Sequence, residues 1–179
     1  MNHVQEAADF CPPSEEPNMK TLECFSTIID NDAWGKAYHD LTGQFPHVST
    51  RGNKYILVHY DYDSNAILAE PLKNRTSGEI KRAWLVLFEK LKRNGNSPKI
   101  YIMDNEASHE LKQACKKYNL AYQLVPPHMH RRNAAERAIQ SFKNHFLALL
   151  ATCDPNFPVE EWDRLLSQCL LTLNLLRNA

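Results

Sequence analysis

The sequence has no apolar run approaching the roughly 18 to 20 residues needed to span a bilayer. Its N-terminus lacks the basic-then-apolar pattern of a secretory signal. Its five cysteines are odd in number and form no C-x-x-C pair, so neither a disulfide framework nor a zinc knuckle is indicated. A reducing intracellular compartment and no membrane partner are therefore expected. Internal repeats and low-complexity tracts are absent, as are the P-loop, G-x-S-x-G and H-E-x-x-H motifs. His3, Cys11 and Cys24 also lack zinc-ligand spacing. Net charge is missing too: 21 basic residues cancel 21 acidic ones. Taken over the whole chain, that balance disfavours a polyanionic partner.

The distribution of charge reverses this first impression. Residues 1–35 hold one basic residue, Lys20, against seven acidic ones, for a net −6, with Pro12, Pro13 and Pro17 and no sustained apolar period. This stretch reads as an acidic, largely flexible arm, in which Leu22–Ile29 is compatible with a short docked element. Residues 36–179 carry 20 basic against 14 acidic residues, and within them residues 73–143 hold 15 against 6. With 43% hydrophobic and 23% charged residues in 179, the chain has the size and composition of one soluble globular domain, with the acidic arm as a tail.

The pattern within that domain alternates strands and helices. Lys36–Phe45, Tyr55–Tyr62 and Ala66–Leu72 read as three successive strands, the last two joined by a turn at Asp63–Ser64–Asn65. Thr76, three residues before Glu79, suits a capping box. The face Ile80, Ala83, Trp84, Leu87, Phe88 and Leu91 continues as a helix that Asn94–Gly95 ends. Lys99–Met103 is a short strand ending at Asp104. Ser108 caps a helix with Leu111, Cys115 and Tyr118 inward, and Ala121–Val125 is a fifth strand. After Pro126–Pro127 and a basic loop come two helices. One runs over 134–151 with Ala135, Ile139, Phe142, Phe146 and Leu149 inward. The other starts at Pro158 with Trp162, Leu165, Leu166, Cys169, Leu173 and Leu176 on one stripe. Antiparallel strands continuing into β-α-β units imply a mixed sheet flanked by helices.

Three carboxylates stand out. Asp40 lies inside a strand, where a carboxylate is disfavoured without a task. Asp104 ends an apolar strand, the usual place for ligand residues in α/β sheets. Glu136 opens a long helix, with Gln140 and Lys143 following on the same edge. Each has an ordinary reading: an edge residue, a turn residue and an acid at a helix N-terminus. His128 and His130 form a possible metal pair but suit a solvated, phosphate-facing loop better. Asp61, in the run Tyr60–Asp63, is a reserve ligand whose default is a turn. Trp84 and Trp162 read as core.

The order of these residues resembles the D…D…E catalytic core of retroviral and retrotransposon integrases. The resemblance is carried by H-D-L-T-G-Q-F-P around Asp40, I-M-D-N-E-A-S around Asp104 and N-A-A-E-R-A-I-Q-S-F-K around Glu136, and it covers residues 36–179. It implies an α/β, ribonuclease-H-like fold with a five-stranded mixed sheet whose first three strands are antiparallel. It also implies that Asp40, Asp104 and Glu136 are catalytic and hold two Mg²⁺ or Mn²⁺ ions. The activity implied is metal-dependent DNA 3′-end processing and strand transfer, with double-stranded DNA as partner, a homodimer or higher oligomer, and a nuclear location when chromosomal DNA is the target. Lys143 and Gln140 match DNA-contact positions, and Arg131, Arg132 and Arg137 are expected to join them. The sequence departs from the family pattern in three ways. Only 31 residues separate Asp104 from Glu136, a shorter interval than usual, Glu106 replaces a common glycine, and Ala134–Ala135 replace another. The alternative expectation is a partial or domesticated non-catalytic copy that binds DNA or protein.

Overall fold

The computed structural model describes residues 35–104, 108–125 and 134–177. The acidic arm up to residue 34, Glu106, the loop holding His128, His130, Arg131 and Arg132, and the last two residues lie outside the described residues. The elements are β1 (Lys36–Leu41), β2 (Tyr55–Asp61), β3 (Ala66–Leu72), α1 (Ser77–Arg93), β4 (Ile100–Asp104), α2 (His109–Lys117), β5 (Ala121–Val125) and α3 (Ala134–Ala151), then a 3₁₀ segment (Val159–Leu165) leading into α4 (Leu166–Leu175). They build one five-stranded sheet in the order β3-β2-β1-β4-β5. The first three strands pair antiparallel, while β1, β4 and β5 pair parallel. This is the expected ribonuclease-H-like mixed sheet.

Alternation along the strands sends side chains to two cores. On one face, Ile56, Val58, Tyr60, Ile67 and Ala69 meet Ile139, Phe142 and Phe146 of α3 and Trp162, Leu166 and Cys169 beyond it. On the other, Ala37, Leu57, Leu72, Tyr101 and Met103 meet Trp84, Leu87, Phe88 and Leu91 of α1 and Leu111 and Cys115 of α2. Trp84 and Trp162 are fully buried, as their placement in apolar stripes implies.

The differences from the sequence expectations have local causes. β1 stops at Leu41 because Thr42 turns inward: its Oγ1 accepts the Ile56 N–H at 2.9 Å. The capping box does not form. Thr76 Oγ1 donates to Asn74 Oδ1 at 2.6 Å, and Glu79 is drawn to Arg82 at 3.0 Å. Gly95, at φ +83, still ends α1 as expected, in a conformation glycine adopts without a steric penalty. Ser108 does cap α2, its Oγ accepting the Leu111 N–H at 3.3 Å. The expected final helix begins with a 3₁₀ segment after Pro158. Leu166, Cys169 and Leu173 keep the buried stripe, but α4 ends at Leu175, and Leu176, just past its end, is 77% exposed.

The edge strand β3 is covered by side chains. Ile67 N–H donates to Asn174 Oδ1 at 2.9 Å, and Asn174 Nδ2 donates to the Ile67 carbonyl at 2.7 Å. Further along, Pro71 has no N–H, and its carbonyl accepts from Arg82 Nη2 at 2.9 Å. No described helix is long and apolar enough to cross a membrane.

Candidate active site

Asp40 sits near the C-terminal end of β1, the central strand of the sheet, opposite Val58 of β2. The register pairing Lys36, Ala37 and Tyr38 with Ile100, Tyr101 and Ile102 carries Asp40 to a position across from Asp104, the last residue of β4. Neighbouring strands lie about 4.8 Å apart, so the two backbone positions adjoin at the end of the sheet from which parallel strands present ligand residues. Two residues before Asp40, Tyr38 packs against the α3 core, so Asp40 falls on the sheet row that faces α3. Asp40 is exposed, and its Oδ1 accepts the Leu41 N–H at 2.8 Å.

Glu136 is exposed in the first turn of α3, a helix that packs across β1, β2 and β3. Burying Ile139, Phe142 and Phe146 contributes roughly 2 kcal/mol each and fixes the helix's rotation, so the edge that starts at Glu136 faces outward. Along that edge Gln140 is exposed and donates to Asn144 Oδ1 at 2.8 Å, while Lys143 is half-buried. Arg137 is exposed on the next row, its carbonyl accepting the Ser141 hydroxyl at 2.8 Å. Asp40 and α3 thus belong to one side of the sheet, and the backbone of Asp104 ends the strand next to Asp40. Among the described residues, no three His, Cys, Asp or Glu side chains are grouped so as to hold a metal ion.

Asp61 takes the turn role. It is buried at the opposite end of β1, beside Ala37, and its Oδ2 accepts both the backbone N–H and the hydroxyl of Ser64. A different buried carboxylate had no signal in the sequence. Asp163 Oδ2 accepts from Ser49 Oγ at 2.9 Å, Arg51 Nε at 3.0 Å and Asn53 Nδ2 at 2.5 Å. Burial alone would raise its pKa, but these bonds outweigh burial and hold it below the usual carboxylate value. With Trp162 Nε1 donating to the His47 carbonyl at 2.8 Å and Phe45 stacked on Trp162 at 4.4 Å, this clamp pins the segment that follows Asp40. Some 110 residues separate its halves, too far apart for any local pattern.

Behind Asp40 the sheet holds a buried polar group. His59 lies across from His39, edge-on to Tyr101 at 5.3 Å, with both ring nitrogens unpaired. Burial pushes His39 down to about 4, and burial with the neighbouring His39 pushes His59 down to about 3. Both are neutral imidazoles near pH 7 and take structural places on the α1 face.

The positive charge is distributed differently from what residue numbering implied. Of the basic residues in 73–143, most stand on α1, α2 and the turn before β4, and only Arg137 and Lys143 lie on α3 among the described residues.

No family model matches the sequence, and no curated protein matches it. Solved structures do match. A chain of the simian T-cell lymphotropic virus intasome, solved in complex with the PP2A regulatory subunit B56 gamma, superposes with a TM-score of 0.64 at 24% identity over 79% of this chain. The present chain spans about half, 49%, of that one. The HTLV-2 integrase catalytic core domain in complex with magnesium, in a dimeric form, gives 0.58 at 25% identity over 79% of this chain and 86% of its own. The catalytic core domain of BIV integrase gives 0.61 at 18% identity over 82% and 88%. Over most of its length, then, this chain folds as a retroviral integrase catalytic core does, within the ribonuclease-H-like superfamily.

Proposed function

We propose that residues 36–179 form the catalytic core of a retroelement-derived integrase, acting on double-stranded DNA in metal-dependent 3′-end processing and strand transfer. The observation that supports this reading is the parallel register of β1 against β4, which, continued two residues past Tyr38 and Ile102, brings the backbone of Asp40 level with that of Asp104. The donor set fits the metal. Carboxylates are the hard oxygen ligands that Mg²⁺ or Mn²⁺ takes while keeping several waters, and the described member on each side of the site, Asp40 and Glu136, is exposed. Asp40, Asp104 and Glu136 would hold two ions. When bound, such a pair activates water or a 3′ hydroxyl and stabilises the leaving 3′ oxygen.

The chain's own residues supply rigidity and charge. Asp40 stands on the central strand, paired with β2 and β4, and would be a rigidly held ligand. Glu136 is carried by a helix anchored through Phe142 and Phe146. Lys143, two turns further on, neutralises a DNA phosphate, Gln140 offers an amide to the same backbone, and Arg137, Arg131 and Arg132 extend the cationic contact. The HTLV-2 core, solved with magnesium in a dimeric form, supports the same cofactor and an assembly of more than one copy for this chain, and chromosomal DNA as target would put that assembly in the nucleus.

The test mixes the purified chain with a branched strand-transfer DNA and Mg²⁺ or Mn²⁺. Glu136→Gln removes a charged ligand and is expected to lower product formation by more than about 100-fold while leaving the fold and duplex binding intact. Activity unchanged by Glu136→Gln refutes the catalytic assignment, and duplex binding with no metal-dependent product selects the non-catalytic copy.

A further inference from the structure

The parallel strands β1, β4 and β5 have two ends, and the candidate carboxylates occupy only one. At the other end, about 13 Å along β1 from Asp40, the chain enters at Gly35 and both α1 and α2 finish. Lys99 N–H donates to the Gly35 carbonyl at 2.8 Å, and Ala121 N–H donates to the Lys99 carbonyl at 2.9 Å, so three chain segments meet there. The Gly35 amide donates to Asp63. At φ +91, with a Cβ that would stand 2.9 Å from the Lys99 nitrogen, position 35 accepts only glycine without strain, which fixes the entry point.

Six cations gather around that entry: Lys36, Lys92, Arg93, Lys99, Lys116 and Lys117, all exposed except the half-buried Lys36. Among the described residues none of the six makes an ion pair, whereas Arg82 and Lys90 on the same helix are paired with Glu70. The helix ends account for part of the cluster, since each C-terminus is equivalent to about −0.5 charge. Asp63, engaged by Gly35, and Glu89, one turn before Arg93, add two negative charges. Asp61, buried at this same end of β1, adds a third, so about two positive charges remain without a counterpart. Lys36 lies on the row of Tyr38 and Asp40, while the α1 and α2 cations lie on the side of the sheet away from α3.

The segment attached to this pole carries the opposite sign. Residues 1–34 hold seven acids and one lysine. Asp32 and Asp30 stand three and five residues before Gly35, and at no more than about 3.5 Å per residue the tether allows them to reach cations around that entry. A tether this short gives an effective concentration near millimolar, well above what an untethered polyanion reaches.

We propose that the acidic segment of residues 1–34 docks on the cationic pole formed by Lys36, Lys92, Arg93, Lys99, Lys116 and Lys117 of the same chain. It acts there as an intramolecular counter-charge and keeps nucleic acid off this end of the domain, leaving the α3 side as the DNA-binding surface. The docking depends on charge and position alone and stands whether or not the carboxylate end is catalytic.

The experiment uses the full chain and zero-length carbodiimide coupling of carboxylates to lysine amines, on a mixture of ¹⁴N- and ¹⁵N-labelled protein. Mass spectrometry is expected to find isotopically unmixed links from residues 1–34 to Lys92, Lys99, Lys116 and Lys117. Their yield should fall several-fold between about 50 mM and about 500 mM salt, as the screening length shrinks. The doubly exposed change Lys116→Glu with Lys117→Glu should reduce the links to Lys92 and Lys99 as well, with the domain still folded by circular dichroism. Absent links, links indifferent to salt, or isotopically mixed links overturn the proposal. It is equally overturned if Lys116→Glu with Lys117→Glu weakens duplex binding as much in the native chain as in one whose seven N-terminal acids are changed to amides, because the pole is then an open nucleic-acid surface.

Discussion

Replacing His59 with phenylalanine should make the domain less sensitive to acid, and the structure supplies the magnitude. His59 is fully buried in the middle of β2, edge-on to Tyr101 and across from His39. Burial, with a smaller effect from His39, pushes its imidazole from 6.5 down to about 3. The unfolded chain therefore takes up a proton at this residue as pH falls through 6.5, while the folded chain does not until pH nears 3. Stability is full above the unfolded pKa and is lost progressively as pH falls from that value towards the folded one. At about pH 5 the unfolded form is favoured by about RT ln(1 + 10^1.5), or about 2 kcal/mol, through this one residue. His59→Phe keeps an aromatic ring against Tyr101 and removes the titration. Urea unfolding at about pH 7.5 and about pH 5 should show a stability loss about 2 kcal/mol smaller in His59→Phe than in the parent. Comparing the two pH values within each protein cancels any packing change that the larger ring introduces. An identical loss in both proteins would mean that the buried imidazole gains a proton in the folded state, and the reasoning fails.

Two further outcomes follow from the site and its support. Asp163→Ala removes the acceptor shared by Ser49, Arg51 and Asn53 and should cost about 3 kcal/mol, read as a lower Tm in a thermal melt; a loss below about 1 kcal/mol would show that water replaces the carboxylate at no great cost. Lys143→Glu should weaken duplex binding and reduce the slope of log affinity against log salt by about one, measured by fluorescence anisotropy; an unchanged slope removes Lys143 from the DNA contact.

How much of this was legible from residues alone depended on the range of the interaction. β3, β5 and α3 begin and end where their patterns do, because apolar periodicity and breakers such as Pro126 act within a few residues. Asp40 and Asp104 could be singled out as carboxylates in the wrong place for a strand. That they stand on adjacent parallel rows required the pairing of β1 with β4, which no local pattern encodes. The capping box at Thr76 failed because Asn74 and Arg82 offered both of its side chains other partners. Within α4 the stripe held through Leu173 and failed at Leu176 because the helix ends one residue before it. The Asp163 clamp joins segments about 110 residues apart. The cationic pole collects residues from β1, α1, α2 and a turn, and in the linear sequence those same residues looked like positive charge surrounding Asp104 and Glu136.

The seal on β3 also sets a timetable. Ile67 offers its outward N–H and carbonyl to Asn174, a residue 107 positions later in the chain. At roughly 5 to 20 residues per second on the ribosome, β3 is made about 5 to 20 s before its cover exists. Arg82 reaches Pro71 after only eleven residues, so the far end of the strand closes early and the Ile67 end closes last. During that interval the nascent sheet has an open hydrogen-bonding edge at its first-made end, and synthesis arrested before Asn174 leaves it open to pairing with other nascent chains.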